Sequence, residues 1–255
     1  MANNGSQRTI GSVERSYEVL QELQDQEACG VSELATALGI PKSTVHKHLR
    51  TLVDLGYVRQ CDGQYRVGFK LLEHGGVVRD RCRIYKYGRP KIEELVADVG
   101  EMALLSIRDE DRGVFLFRSN DRYNLKASLS MGARFNLHSN GAGKAMLAAS
   151  DDEFVQNYVE ITGLPAETPH TITEPDALHD ELEAIRSRGY ARNQGERETG
   201  IQAVSAAIRD DVTGDVGAIS ISVPTGSPAV DNLDDEYAQA VQRAASELSL
   251  QLTHS

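Results

Sequence analysis

The sequence predicts an α+β protein: an N-terminal winged helix-turn-helix over residues 1–68, a linker helix over 69–88, and an α+β domain with a mostly antiparallel sheet over 89–255. Three observations carry this. Three short amphipathic helical patterns run into an Asp-Gly hairpin signal within about 60 residues, the order of a winged helix-turn-helix. A helical but glycine-interrupted stretch follows. Beyond it, strand and helix patterns alternate irregularly, which favours an antiparallel sheet over a doubly wound parallel one.

The first helix is expected from about Ser12 to Asp25, where Val13, Tyr17, Leu20 and Leu23 recur at helical spacing. Ser32 is the expected N-cap of a short second helix carrying Leu34, Ala35 and Leu38, which Gly39 ends by adopting positive φ. Pro41 opens the third helix, whose stripe is Val45, Leu49, Leu52 and Val53. "YVRQCDGQYRV" then reads as two strands around Asp62-Gly63. The stretch from Phe69 to about Gly88 is a connector interrupted by Gly75-Gly76, and Pro90–Gly100 is the next helix. Strands are expected at Met102–Arg108, Gly113–Arg118 and Lys126–Ser130, then a glycine turn opening a helix in "HSNGAGKAMLAAS". Helices Asp151–Ile161 and Pro175–Arg188, strands Ala203–Arg209 and Asp215–Val223, and a helix from Asp234 to about Leu252 complete the chain.

The 255 residues suffice for one or two domains with a proper core. Acidic residues number 38 against 27 basic ones, a net charge of −11. Surplus carboxylates and few lysines suit a halophilic source, although an ordinary acidic cytoplasmic protein would look the same. No apolar run approaches the ~20 residues that span a bilayer. "MANNGSQRTIGSVERS" carries no hydrophobic signal segment, so a cytoplasmic location without membrane partners is expected. Cys29, Cys61 and Cys82 are too scattered for a disulfide framework or a metal pair.

The third helix departs from the overall charge. No acidic residue lies between Leu34 and Val53, and the face opposite the apolar stripe carries Lys42, Ser43, Thr44, His46, Lys47 and Arg50. Cations attract phosphates, and hydroxyls and imidazoles can bond base edges, so this face fits a major groove of double-stranded DNA. A merely solvated face is the plain alternative. A wing bearing Arg59, Gln64 and Arg66 just downstream favours the groove, and Arg8 and Arg15 are further candidates for phosphate contact. His46 and His48 are two residues apart, hence on different sides of the helix, and do not form a metal pair.

"NGAGKAM" is not a nucleotide P-loop, because His138 and Ala145 stand where that loop needs Gly and Ser/Thr. Gly141, Ala142 and Gly143 at a helix start could still present backbone amides to a small anion; a packing turn is the alternative. Ser220 and Ser222 share one face of a strand and form either a polar binding wall or a solvent face. Catalysis finds little support. A nucleophilic Ser220 or Ser222 with His170 or His179 as base would lack a G-x-S-x-G elbow.

"GVSELATALGIPKSTVHKHLRTLVDLGYV" and "GQYRVGFKLLEHG" together resemble the DNA-binding domain of IclR-type transcriptional regulators. The resemblance continues, in order, through "RPKIEELVADVGEMALLSI", "LHSNGAGKAMLA", "TPHTITEPDALHDELEAIRSRGYARN", "GIQAVSAAIRDDVTGDVGAISISVP" and "AASELSLQL", covering about residues 12–252. It implies a GAF-like effector-binding domain, a homodimer or homotetramer on a pseudo-palindromic operator, and no cofactor. It also implies a small-molecule cavity at Gly141, Ala142, Asn193, Ile201, Ala203, Ser220 and Ser222, with Phe135 on its apolar side. Aromatic acids, sugar acids and short keto or hydroxy acids are the effectors the resemblance implies. Ala203, where relatives often carry Cys, and Asn193, where acids also occur, leave the particular ligand open. A second domain that senses a protein partner is the alternative.

Overall fold

The structure, a computed structural model, describes residues 9–26, 28–119 and 130–255. It divides into two compact units between Val78 and Arg79.

In the first unit, helices α1 (Gly11–Asp25), α2 (Val31–Ala37) and α3 (Lys42–Asp54) precede strands β1 (Val58–Cys61) and β2 (Gln64–Val67). Val19 and Leu23 of α1, Leu34 of α2, Val45 and Leu49 of α3, and Val58 and Tyr65 of the hairpin share one apolar core. Gly39 turns the chain between α2 and α3 at φ 63°, and Asp62-Gly63 close the hairpin at φ 52° and 77°, as a two-residue turn between twisted strands requires. Cys29 bridges to Tyr65, adding one residue pair to the edge of the hairpin.

The start of α2 corrects the expectation at Ser32. Gly30 is the N-cap and Ser32 lies inside the helix. The Glu33 carboxylate accepts the Gly30 amide at 2.6 Å, satisfying the donor that a serine cap would leave to others. The glycine pair of the connector is no interruption either. Helix α4 (Lys70–Arg81) runs through Gly75 and Gly76, and no residue of it is buried.

Among the described residues of the second unit, six strands form one sheet in the order β5-β4-β3-β8-β7-β6. They are β3 (Met102–Asp109), β4 (Arg112–Ser119), β5 (Arg134–Asn136), β6 (Ala191–Gln194), β7 (Ile201–Asp210) and β8 (Asp215–Pro224). Every described pairing is antiparallel. Side-chain alternation divides the sheet into two faces. Ala103 and Leu105 of β3, Val204, Ala206 and Ile208 of β7, and Ile219, Ile221 and Val223 of β8 pack against α5 (Arg83–Val99) and α9 (Ala238–Thr253). The opposite face, with Met102, Leu104 and Ala218, packs against α6 (Gly141–Ala148), α7 (Asp152–Thr162) and α8 (Pro175–Arg188).

The helix expected to start at Pro90 begins at Arg83 and holds Pro90 in its interior. A proline there removes one helical hydrogen bond. Burial of Ile84 and Tyr85 in the preceding turn outweighs that loss. Gly88 lets α5 approach the sheet, since a Cβ there would meet Leu105 at 2.8 Å. A π-helical turn, Leu233–Tyr237, occupies the expected start of the last helix. Asp151 caps α7 by accepting the Phe154 amide at 2.7 Å, which accounts for the acidic pair at that helix start. The strand expected at Lys126–Ser130 falls, but for Ser130, outside the described residues. No helix among the described residues is long and apolar enough to cross a membrane.

Candidate functional site

In the first unit α3 presents two opposed faces. Val45 and Leu49 are fully buried, whereas Lys42, Ser43, His46, Lys47 and Arg50 are exposed and Thr44 is half-buried. His48 points elsewhere: its Nδ1 lies 2.9 Å from Ser16 Oγ, tying α3 to α1. The two imidazoles thus diverge, as the spacing requires. On the hairpin, Arg59 pairs directly opposite Arg66, and both are exposed beside Gln64. Like charges at facing positions repel. The Arg59 guanidinium also lies 5.1 Å from the centre of the Phe69 ring. Arg15 is engaged with Glu18 on its own helix, which spends part of its charge locally. Arg8 lies outside the described residues.

In the second unit a cavity of about 450 Å³, open mouth included, lies between the start of α6 and the strands β3, β4, β7 and β8. Gly141, Ala142, Asn193, Ile201, Ala203, Ser220 and Ser222 all line it. Phe135 does not. It packs against Phe115 with ring centres 4.6 Å apart and the planes tilted by 38°, and Phe115 is the aromatic in the wall. Gly113 makes room for that ring, because a Cβ there would lie 2.0 Å from Phe135.

The local sequence explains how the wall is built. Asn140 caps α6 by accepting the Gly143 amide at 2.9 Å, which removes one of the three amides expected to be presented to an anion. Gly143 lies against the Leu137 backbone, where a Cβ would come within 2.1 Å of the carbonyl oxygen. Ser220 Oγ and Ser205 Oγ are 2.8 Å apart across β7 and β8. The Asn193 side-chain oxygen accepts the Glu196 amide at 3.2 Å, folding the turn between β6 and β7 back toward the cavity.

That turn brings in residues the pattern did not suggest. Arg197 and Glu198 both line the cavity. Arg197 lies over Phe115 and Phe135, 5.4 and 5.7 Å from their ring centres, and 3.7 Å from the Glu167 carboxylate. Its Nη1 is buried without a hydrogen-bond partner. Burial pulls its pKa down, against the opposing pull of Glu167 and Glu198. Nothing in "GERETG" marks this arginine, since a turn carries no periodicity. Ser205 did leave a signal: it shares a strand face with Ala203, as Ser220 does with Ser222.

Lys144, the lysine of "NGAGKAM", is buried and bonds Glu196 at 2.6 Å and Glu181 at 3.2 Å. It holds α6 to its surroundings and leaves no cation for a phosphate. Ser220 bonds Ser205, His179 faces Glu183 at 3.4 Å, and His170 is exposed. Among the described residues, no histidine bonds either serine of the wall.

An exposed, cation-bearing face on a winged helix-turn-helix, followed by a second α+β domain with an open cleft, is the arrangement of a helix-turn-helix regulator. The family models agree. Residues 12–62 match the IclR helix-turn-helix domain and residues 77–250 match the bacterial transcriptional regulator IclR C-terminal domain. The chain belongs to the IclR family of transcriptional regulators. It is 30% identical to the HTH-type transcriptional regulator KdgR of Dickeya chrysanthemi over 247 residues, 96% of this chain and 80% of that protein. It is similar to the crystal structure of Thermotoga maritima IclR, with a TM-score of 0.79 at 29% identity, covering 96% of this chain and 100% of that one. An IclR homolog from Microbacterium hydrocarbonoxydans, complexed with 4-hydroxybenzoate, shares the fold with a TM-score of 0.77 at 23% identity, covering 96% of this chain and 100% of that one.

Proposed function

We propose that the protein is a cytoplasmic transcription factor whose operator affinity is set by a small organic acid of carboxylate or sugar-acid type. The observation that carries this is the cavity lined by Gly141 and Ala142 at the start of α6 and by Ser220 and Ser222 on β8. Amides at a helix start and serine hydroxyls all suit an anionic oxygen. The 4-hydroxybenzoate in the solved relative's complex is an acid of that kind.

Residues 1–68 read DNA in this proposal, and residues 89–255 bind the effector and hold the oligomer together. Two such heads in a homodimer or homotetramer dock half-sites of a pseudo-palindromic operator one helical turn apart or a multiple of it. Lys42, Lys47, Arg50, Arg59 and Gln64 engage phosphate or guanine, while Ser43, Thr44 and His46 face bases or backbone. The effector acts by binding two quaternary states with different affinity. The acidic, lysine-poor composition suits a halophilic cell.

The test is retardation of DNA fragments upstream of the protein's own gene and its neighbours, titrated with lactate, gluconate and 4-hydroxybenzoate. Retardation that one acid strengthens or abolishes supports the proposal. A protein that retards none of these fragments at moderate salt overturns the DNA half. Retardation indifferent to every acid overturns the effector half.

A further inference from the structure

The geometry points to Arg197 as the residue that selects a carboxylate in the cavity, with Glu167 as the internal carboxylate that an incoming anion replaces. This rests on the effector proposal above and goes further by naming the charge-reading group.

Five observations support it. Arg197 lines the cavity, its side chain is only 14% exposed, and its Nη1 has no hydrogen-bond partner. A buried guanidinium donor without an acceptor is costly, and a ligand carboxylate supplies one. The ion pair with Glu167 is loose, at 3.7 Å between nearest atoms, where a well-made pair closes to about 2.8 Å. Glu167 has another partner, since it accepts the Asn136 side-chain amide at 2.7 Å. It can therefore lose Arg197 without being stranded.

The setting fixes the guanidinium rather than leaving it to swing. Phe115 and Phe135 both lie within 6 Å of it, a distance at which a cation is held by aromatic faces. The turn that carries Arg197 is stitched down by Thr168 and Thr171, whose hydroxyls donate to the Glu196 carbonyl. Glu198 lines the same cavity, so a second negative charge on the ligand meets repulsion. The ligand class is a monocarboxylate whose hydroxyl or oxo groups can reach Ser220 and Ser222.

Thermal melts of the full chain test this with lactate, gluconate and 4-hydroxybenzoate, with lactamide and 4-hydroxybenzamide as uncharged counterparts and malate as a dianion. Wild type is expected to be stabilised by at least one monocarboxylate, and more weakly by its amide or by malate. Arg197→Gln is expected to lose about tenfold or more in affinity for that acid and to lose the preference for acid over amide. Arg197→Lys is expected to keep part of that preference. Glu167→Gln removes the rival carboxylate and is expected to tighten acid binding several-fold. Acid binding unchanged in Arg197→Gln overturns the assignment while leaving the effector proposal standing. If Arg197→Gln does not fold, Glu167→Gln decides: unchanged or weaker acid binding overturns the exchange. A wild type that no compound on the panel stabilises overturns the effector proposal, and this inference with it.

Discussion

The Lys144 ammonium sits 2.6 Å from a carboxylate oxygen of Glu196, and both side chains are withdrawn from solvent. Burial raises the pKa of Glu196, and Lys144 is the principal group pulling it back. The pair ties α6 to the turn between β6 and β7, the two sides of the cavity that carry Gly141 and Arg197. Lys144→Met should therefore destabilise the protein by about 3–5 kcal/mol, because it leaves a buried carboxylate uncompensated. The double variant Lys144→Met/Glu196→Gln should recover most of that loss. Denaturant midpoints of the three proteins check it, and a double variant as unstable as the single one would show that the pair is not the cause.

The facing arginines of the hairpin give a prediction about DNA. Arg59 and Arg66 repel each other in the free protein, so removing Arg66 should leave folding stability unchanged or slightly raised, while removing Arg59 also gives up its contact with Phe69 and should be near neutral. Each Arg→Ala change should lower the slope of log affinity against log salt by about 0.9 for each docked head, about 1.8 for two heads, if that guanidinium meets a phosphate. The exposed face of α3 adds Lys42, Lys47 and Arg50, so the wild-type slope should be shallow for a regulator. Titrations between low and high salt measure it, and a slope that implies far more phosphates than these five cations on each of two heads can neutralise would be contrary.

The serine wall of the cavity can be filled. Ser222→Phe should abolish stabilisation by an effector acid while leaving promoter retardation intact, because Ser222 belongs to the second unit and α3 to the first. Melts and retardation on the same preparation separate the two readouts. Retained acid stabilisation would exclude this cavity as the binding site.

His138 makes the protein sensitive to acid. Burial lowers its pKa, and its ring nitrogens are engaged by the Tyr158 hydroxyl at 2.6 Å and the Pro165 carbonyl at 3.0 Å. Nε2–H donates to the Pro165 carbonyl, and with the ring neutral Nδ1 accepts from the Tyr158 hydroxyl. The folded value lies below the unfolded ~6.5, so the unfolded chain takes up the proton first. Its contribution is complete above pH ~6.5 and is lost as pH falls toward the depressed folded value. Denaturant midpoints between pH 7.5 and 5 should fall for wild type and fall less for His138→Gln.

Glycines separate into two kinds. Gly143→Ala should cost about 1–3 kcal/mol or more, since its Cβ meets backbone that cannot yield. Gly75→Ala and Gly76→Ala meet nothing within 4 Å, on an exposed helix, and should each stabilise α4 by about 0.5–1 kcal/mol. Thermal midpoints check both signs.

These two kinds also show what the sequence could and could not reveal. Gly75-Gly76 looked like a break because local propensity was all there was to weigh, and α4 persists in spite of it. Pro90 misled in the same way, since burial of Ile84 and Tyr85 acts through residues distant in sequence. Strongly periodic segments were legible: α3, α8, β7 and β8 lie where their apolar spacing put them, within a few residues. The short strands β5 and β6 are too brief for alternation to register. Seven of the eight residues that the family resemblance implied line the cavity; the glycine turn at Gly141 and the shared strand face of Ser220 and Ser222 were also legible as pattern, whereas Asn193, Ile201 and Ala203 came from the resemblance alone. Arg197 was invisible, since its place depends on how an aperiodic turn folds back over Phe115.

All eight residues of α6 are buried, and its far end is held as firmly as its start. Arg186 donates to the Ala148 carbonyl at 3.0 Å and Arg209 reaches the Ala149 carbonyl. If the proposed effector site is correct, anyone retargeting it to a new ligand should therefore treat the helix as fixed scaffolding. The variable positions are Ile201, Ala203, Ser220 and Ser222 on the strands, where side chains can be exchanged without moving a backbone that the rest of the domain leans on.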